Sequence, residues 1–311
     1  MPDVWAADVL TLLNIIQHSG VAPHVWHVDL MHYVHKGGED SSLSNYRPLT
    51  LVDMLRKVFS SVSTSRMRRD WTRLRIQNTC NPGFEPGRCT VNAIYPLRMA
   101  AEQCLADEEE LVAFLGDLKW CFDIPAQVVI ELALLWLAVP NFYHSILDDT
   151  DVHTAKTTVT AAGITADLLR DVIGGGIHRQ EHGTGQGTSD GLQKWIAVAD
   201  MAISVARAAS TAPVTLPVDA ARSVCLDRTW FVDDSGLSQC GVRALPAVQT
   251  VASETGLMNS FLGMERRAKK CLWSRLKWRD GVLMRSADSD GAITYKTNLA
   301  GSLEGRQSNH T

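Results

Sequence analysis

The order of predicted helices and strands is the feature that most restricts the fold of this chain. Apolar residues recur at helical spacing over residues 9–16, 51–76, 91–106, 128–139 and 192–209. Segments rich in β-branched and aromatic residues indicate strands at 25–34, 111–118, 229–232 and 236–239, and a hairpin at 154–164. Because helices and strands do not alternate one by one, the order favours an α+β fold, an antiparallel sheet backed by helices, over a doubly wound parallel sheet.

Composition limits the class of protein further. The 311 residues are 45% hydrophobic and 21% charged, as is typical of a globular protein with a sizeable core. The longest apolar run, residues 128–139, contains Glu131 and is too short to span a bilayer, so no membrane segment is predicted. The N-terminus lacks the charge pattern of a signal peptide. The seven scattered cysteines have no C-x-x-C spacing, which is typical of reduced thiols in an intracellular protein.

Charge is concentrated locally, although the formal net charge of −4 gives no sign of a nucleic-acid binder. Residues 51–76 carry seven arginines and lysines against two aspartates, a local charge of +5. A second basic cluster spans residues 266–279. Any site for a polyanion is therefore expected to be local.

Carboxylates stand at the ends of two predicted strands. Asp233 and Asp234 directly follow the strand-like Trp230-Phe231-Val232 segment, and Asp117 closes the apolar strand at 111–118. Asp-Asp-Ser-Gly alone is also a common turn sequence. Two hard-oxygen sites on neighbouring strands are, however, what a two-metal phosphoryl-transfer centre requires. A third string, residues 183–189, is rich in glycine, which lets a backbone approach a ligand closely.

Six segments, taken in order, resemble the reverse transcriptase domain of non-long-terminal-repeat retrotransposons and group II introns. They are N-Y-R-P-L-T-L at 45–51, G-F-E-P-G-R-C-T at 83–90, F-L-G-D-L-K-W-C-F-D at 114–123, G-T-G-Q-G at 183–187, F-V-D-D at 231–234, and the stretch from Thr255 to Lys270. The resemblance extends from about residue 25 to about residue 280.

The resemblance implies an RNA-directed DNA polymerase with a right-hand architecture. Residues 1–285 would form fingers and palm, with the fingers mainly at 1–90 and about 126–188, and residues 286–311 a polar tail. No thumb, endonuclease or ribonuclease H region is expected, so the domain would be truncated. Its partners would be an RNA or DNA template-primer and deoxynucleoside triphosphates, and no membrane.

The resemblance also implies roles for individual residues. Two Mg²⁺ ions, replaceable by Mn²⁺, would be held by Asp117, Asp233, Asp234 and the backbone of Leu118. The incoming nucleotide would meet Arg47, Lys36, Phe122, Gln186, Gly187 and Lys270, with Phe122 excluding a ribose 2′-hydroxyl and Lys270 near the pyrophosphate. The template-primer would lie along Arg66, Arg68, Arg69 and Arg88.

Other interpretations remain open at this point. Gly116, Glu85 and Cys89 differ from the residues usual in the family, and no thumb is expected. Both observations favour a second hypothesis, in which the chain is a nucleic-acid-binding remnant that has lost catalysis. A zinc site at His24, His27, His32 and His35 lacks cysteine or acidic partners at ligand spacing. A dinucleotide site at residues 183–187 lacks the apolar strand that should precede it.

Overall fold

A computed structural model gives the fold. It describes residues 2–285 except for 79, 84, 86, 120, 142, 145, 147–148, 150–154, 161–162, 165–181, 186, 210–214, 220–221, 226–227, 232–233, 242, 267–269 and 280–281. The chain divides into two compact units. The first comprises Met1–Gln77, Trp120–Met201 and Leu262–Met264, and the second comprises Asn78–Lys119, Ala202–Phe261 and Glu265–Thr311.

The first unit combines four helices with a small sheet within its described residues. The helices are α1 (Pro2–Ser19), α2 (Met54–Leu74), α4 (Gln127–Trp136) and α5 (Gly191–Ala209), of which α5 continues into the second unit. The strands are β1 (Val28–His35), β2 (Tyr46–Leu51), β4 (Ala155–Thr160) and β5 (Gly163–Ile164). They pair in the order β2-β1-β4-β5, antiparallel except for the parallel β1–β4 pair.

A cluster of apolar side chains joins α1 to the start of α2. Ile16, Trp26 and Phe59 are buried together in it. Asp53 precedes α2, and its carboxylate accepts hydrogen bonds from the backbone N–H groups of Leu55 and Arg56 at 2.8 and 3.2 Å. Such a cap satisfies backbone donors that have no partner inside the helix, and it fixes where α2 begins.

The second unit is built on an antiparallel sheet. Its helices are α3 (Thr90–Ala106) and α6 (Ala244–Phe261). Its strands are β3 (Leu111–Lys119), β6 (Thr215–Asp219), β7 (Arg222–Cys225), β8 (Arg228–Phe231), β9 (Asp234–Cys240), β10 (Glu265–Arg266), β11 (Leu272–Arg279) and β12 (Val282–Arg285). The main sheet has the order β12-β11-β3-β9-β8, with β10 also pairing with β3, and β6 pairs with β7 alone.

Helices pack on opposite faces of this sheet, because side chains alternate along a strand. Val112 and Phe114 of β3 pack with Leu237 of β9 against α6. Leu111, one residue earlier on β3, packs instead against Ala100 and Cys104 of α3. The central strand β3 is therefore covered on both faces, which explains why its sequence is a continuous apolar run.

The predicted α+β class is confirmed in its coarse form, a mixed α and β structure with antiparallel sheets. The doubly wound parallel sheet is wrong for the described strands, since β1 and β4 are the one parallel pair among them. Several elements were not predicted. They are β2, which contains Pro48; α6, whose helical pattern is interrupted by Pro246 and Gly256; the pair β6 and β7; and the strands β10, β11 and β12.

The expectation of reduced thiols is wrong for one pair of cysteines. Cys104 of α3 and Cys240 of β9 form a disulfide, with Cα atoms 5.8 Å apart. They are 136 residues apart in sequence and meet because α3 packs across the ends of β3 and β9. None of the helices in the described part of the chain is both long and apolar enough to cross a membrane.

Candidate active site

Asp117 lies near the end of the most buried strand of the second unit. Seven residues of β3, 111–114 and 116–118, are buried. Asp117 is the one charged residue among them, and 8% of its surface is exposed. A carboxylate in such a position is costly unless an opposite charge or hydrogen bonds compensate its lost hydration. Its position therefore points to a functional or ion-paired group rather than to a surface acid.

Asp234 is the direct cross-strand partner of Asp117. The antiparallel register of β3 and β9 runs from Leu111 opposite Cys240 to Asp117 opposite Asp234. Side chains of directly opposed residues share one face of the sheet, with Cβ atoms about 5 Å apart, and like charges placed so are destabilising. The fold thus collects two carboxylates at one place where a cation would offset their repulsion.

The turn assignment of this region needs one correction. The sequence predicted strands at 229–232 and 236–239 joined through Asp233, Asp234 and Ser235. In the structure β9 already begins at Asp234, because Phe231 pairs with Asp234 and Trp230 with Ser235. Asp233 lies outside the described residues, so its predicted role as a metal ligand stays a prediction.

Lys270 contacts Asp117 from the other side of β3. Its Nζ lies 2.8 Å from Oδ2 of Asp117, and the side chain of Lys270 is 36% exposed against 11% for that of Asp117. The β11–β3 register pairs Leu272 with Leu115. Lys270 lies two residues before the start of β11, near the end of β3 that carries Asp117. Across the sheet, the order of charges is therefore ammonium, carboxylate, carboxylate.

Gly116 explains how the strands approach so closely beside Asp117. Its cross-strand partner is Ser235, whose Oγ lies 3.4 Å from the carbonyl oxygen of Gly116. A Cβ at position 116 would lie 2.8 Å from that Oγ and 3.1 Å from the ring of Phe114. Gly116 stands where the family usually has a branched residue, and the absence of its side chain leaves room for the hydroxyl group of Ser235. Ser235 was not among the predicted site residues.

The donor set of this site fits a divalent cation. Carboxylate oxygens are the ligands that Mg²⁺ and Mn²⁺ prefer, and Mg²⁺ in enzymes is usually bound through one or two carboxylates with the remaining positions taken by water and phosphate. Asp117 and Asp234 supply such a pair. Within the described residues, no group of three or more His, Cys, Asp or Glu side chains forms a preformed metal cage. Leu118, expected to lend its backbone, is buried beside Asp117.

The other predicted nucleotide-binding residues belong to the first unit. Arg47 lies on β2 and is exposed, and Lys36 directly follows β1 and is also exposed. The ring of Phe122 lies 5.8 Å from that of Trp195 on α5. Gly187 adopts a φ of +104°, and a Cβ there would lie 2.8 Å from the carbonyl oxygen of Thr50. Gly187 is thus required by its packing on β2, whatever else it contacts, while Gln186 lies outside the described residues.

The predicted template-binding arginines are mostly accessible. Arg66 and Arg69 are exposed on α2, Arg68 is half-buried there, and Arg88 is exposed with its Nε 3.2 Å from Glu85. Arg56 belongs to the same basic stretch of the sequence, but it does not contribute to the accessible basic surface of α2. It is 4% exposed, and its Nη1 lies 2.7 Å from Oδ1 of Asp29.

A second buried ion pair of the first unit was also missed. Lys194 and Asp190, both on or beside the first turn of α5, are 2.7 Å apart and nearly inaccessible. Burial alone would raise the pKa of Asp190, but Lys194 and Arg56 outweigh it and hold the pKa below its ordinary value. The spacing of four residues was a readable signal, since i,i+4 residues are neighbours on a helix.

Comparison with known proteins points in the same direction as these motifs. No family model matches the sequence. A probable RNA-directed DNA polymerase from transposon BS of Drosophila melanogaster is 27% identical over 113 residues, which is 36% of this chain and 12% of that protein. The chain therefore corresponds to a small part of this relative. The sequence similarity supports a reverse-transcriptase-like relationship.

The structure of telomerase from Candida albicans with a TWJ fragment of telomeric RNA matches 88% of this chain and 48% of the telomerase chain, with 12% sequence identity and a TM-score of 0.49.

Proposed function

We propose that this chain is the fingers and palm core of an RNA-directed DNA polymerase of retroelement origin. The observation that carries the proposal is the register of β3 and β9, in which Asp117 and Asp234 are direct partners. Two sequence motifs more than 100 residues apart meet there, each carrying the acid that the family resemblance assigns to catalysis. The similarity to a transposon polymerase supports the same class.

Asp117, Asp234 and Asp233 would together hold two Mg²⁺ ions, and Mn²⁺ would substitute. Bound there, the ions would neutralise charge on the attacking and leaving oxygens of an in-line phosphoryl transfer. The contribution of the protein is to hold the carboxylates in place before substrate arrives. Burial of Asp117 in a strand packed on both faces serves that purpose, because the side chain has few alternative positions.

Substrate contacts would come from the remaining motif residues. Arg47 and Lys36 would bind the triphosphate, Phe122 would exclude a 2′-hydroxyl, and Gln186 with Gly187 would line the sugar and templating base. Lys270 would act near the pyrophosphate. Arginine suits the triphosphate because its planar fork binds phosphate oxygens in pairs.

The template-primer would be held by Arg66, Arg68, Arg69 and Arg88 through phosphate contacts. Such contacts are independent of base sequence and weaken steeply with salt. Replacing Arg66 and Arg69 together by glutamine is therefore expected to weaken duplex binding several-fold at low salt, and to reduce the dependence of affinity on salt by roughly one ion for each arginine.

Primer extension on poly(rA) with oligo(dT) and either Mg²⁺ or Mn²⁺ tests the proposal. We expect incorporation by the full chain and its loss in Asp233→Ala and in Asp234→Ala. Asp8→Asn, which changes an exposed aspartate on α1, is the matched control and should retain activity. Incorporation that survives Asp234→Ala would contradict the proposal. Duplex binding without any incorporation would instead assign the chain to the second hypothesis, a nucleic-acid-binding remnant.

A further inference from the structure

We propose that Lys270 is the counter-ion of Asp117 in the metal-free protein and that a divalent cation that binds Oδ2 of Asp117 displaces the ammonium group of Lys270. The inference rests on the proposed function, in which Asp117 is a metal ligand. It adds that the ion pair between Lys270 and Asp117 regulates how tightly a metal ion binds. Lys270 is then a positioning residue, distinct from its expected contact with pyrophosphate.

The first argument is geometric. Nζ of Lys270 lies 2.8 Å from Oδ2 of Asp117, a distance at which an ammonium group occupies a coordination position of the carboxylate oxygen. A cation bound to the same oxygen would have to share its electron pairs with Lys270 or replace it. Two cations at one carboxylate also repel each other, which makes replacement the favourable outcome.

The second argument is the balance of charge across the sheet. Asp117 has a carboxylate, Asp234, as its partner on β9, and its Oδ2 forms an ion pair with Lys270, which lies just before β11. Without a metal ion, Lys270 offsets one of the two negative charges. With a cation at the carboxylate pair, that compensation is no longer needed, and the ammonium group is released toward solvent.

The third argument is exposure. The side chain of Lys270 is 36% accessible, whereas the buried lysine of the first unit, Lys194, is 3% accessible. A partly exposed ion pair contributes little to stability, because water screens the two charges. A long lysine side chain can move into water at small cost, so Lys270 can hold the carboxylate in place and still yield to a cation.

Binding of Mn²⁺ alone to the full chain, followed by electron paramagnetic resonance of the free ion, tests this inference. Lys270→Met keeps an unbranched side chain of nearly the same length and removes its charge. We expect Lys270→Met to bind Mn²⁺ about fivefold more tightly than wild type at low salt, with the ratio falling as salt screens the pair. Lys270→Arg should bind like wild type, and Lys57→Met, an exposed lysine on α2, is the matched control.

The same titration separates failure of this inference from failure of the proposed function. In an Asp117→Asn background, Mn²⁺ binding should be lost and Lys270→Met should change nothing. If Asp117→Asn abolishes binding but Lys270→Met leaves the affinity of the wild-type chain unchanged or lower, the counter-ion role is wrong and the metal site stands. If Asp117→Asn and Asp234→Ala both leave Mn²⁺ binding unchanged, or if wild type and Lys270→Met both fail to bind, the metal site itself is wrong.

The melting temperature gives a second readout. Mn²⁺ should raise the melting temperature of Lys270→Met more than that of wild type.

Discussion

The two units place charged side chains in their interiors differently. In the first unit the buried carboxylates Asp29 and Asp190 each contact one basic side chain that is as inaccessible as they are. In the second unit the buried carboxylate Asp117 lies opposite another carboxylate and contacts a lysine that is partly in water. Charges paired with an equally buried partner serve the stability of the fold, whereas a carboxylate pair beside a partly exposed lysine is suited to collecting a cation.

The largest expected effect concerns the second unit. Asp117→Asn should reduce primer extension by at least about 10³-fold, because a ligand of the proposed metal site is lost. Its free energy of unfolding should change by less than about 1 kcal/mol. The variant loses a partly exposed ion pair, but it also relieves repulsion of similar size from Asp234. Urea unfolding checks this, and a loss of several kcal/mol would show that Asp117 is structural.

The first unit should respond in the opposite way. Lys194→Met leaves Asp190 buried without its closest cation, and removal of one partner of a buried pair costs about 3–5 kcal/mol. Urea unfolding of Lys194→Met and of the exposed control Lys57→Met measures the difference. If Lys194→Met loses no more free energy of unfolding than Lys57→Met, the buried pair does not stabilise the first unit. The two units would then not differ in how their buried charges act.

Acid should act on the same pair with a smaller effect. Because the pKa of Asp190 is lower in the folded protein than its ordinary value, the charged form stabilises the fold above about pH 4. This contribution is lost as the pH falls through the lowered value. The difference in free energy of unfolding between wild type and Asp190→Asn should therefore narrow from about pH 6 to about pH 3. If the difference is constant over this pH range, the effect of Asp190→Asn does not come from the ionisation of Asp190.

Local patterns allowed the centre of the second unit to be predicted. The apolar run of β3, the helix at 90–106 and the strand before Asp234 follow from periodicity and β-branched content, and all three exist. The helix α6 was missed because Pro246 and Gly256 interrupt its pattern, although tertiary packing of Val248 and Ala252 on the sheet supports it. Short-range pattern therefore identifies elements well where it is regular, and poorly where packing compensates for weak propensity.

Contacts distant in sequence could not be predicted in the same way. The pairing of Asp29 with Arg56 joins a strand to a helix, so no spacing rule indicates it. The contact of Lys270 with Asp117 depends on the register of β11, which the sequence does not reveal. The motif resemblance brought Asp117 and Asp234 together as candidates, and the antiparallel register explains why they are neighbours.

The smallest expected effect concerns a surface pair of the first unit. Asp70 and Arg73 of α2 lie 3.6 Å apart with side chains 51% and 70% exposed, so Asp70→Asn should change the free energy of unfolding by less than about 0.5 kcal/mol. The same substitution removes a negative charge from the helix that carries Arg66 and Arg69. Duplex binding should therefore strengthen about twofold at low salt, and the gain should vanish at high salt. Fluorescence anisotropy with a labelled duplex measures it, with Asp53 left intact because it caps α2. Unchanged binding at low salt would mean that α2 does not face nucleic acid.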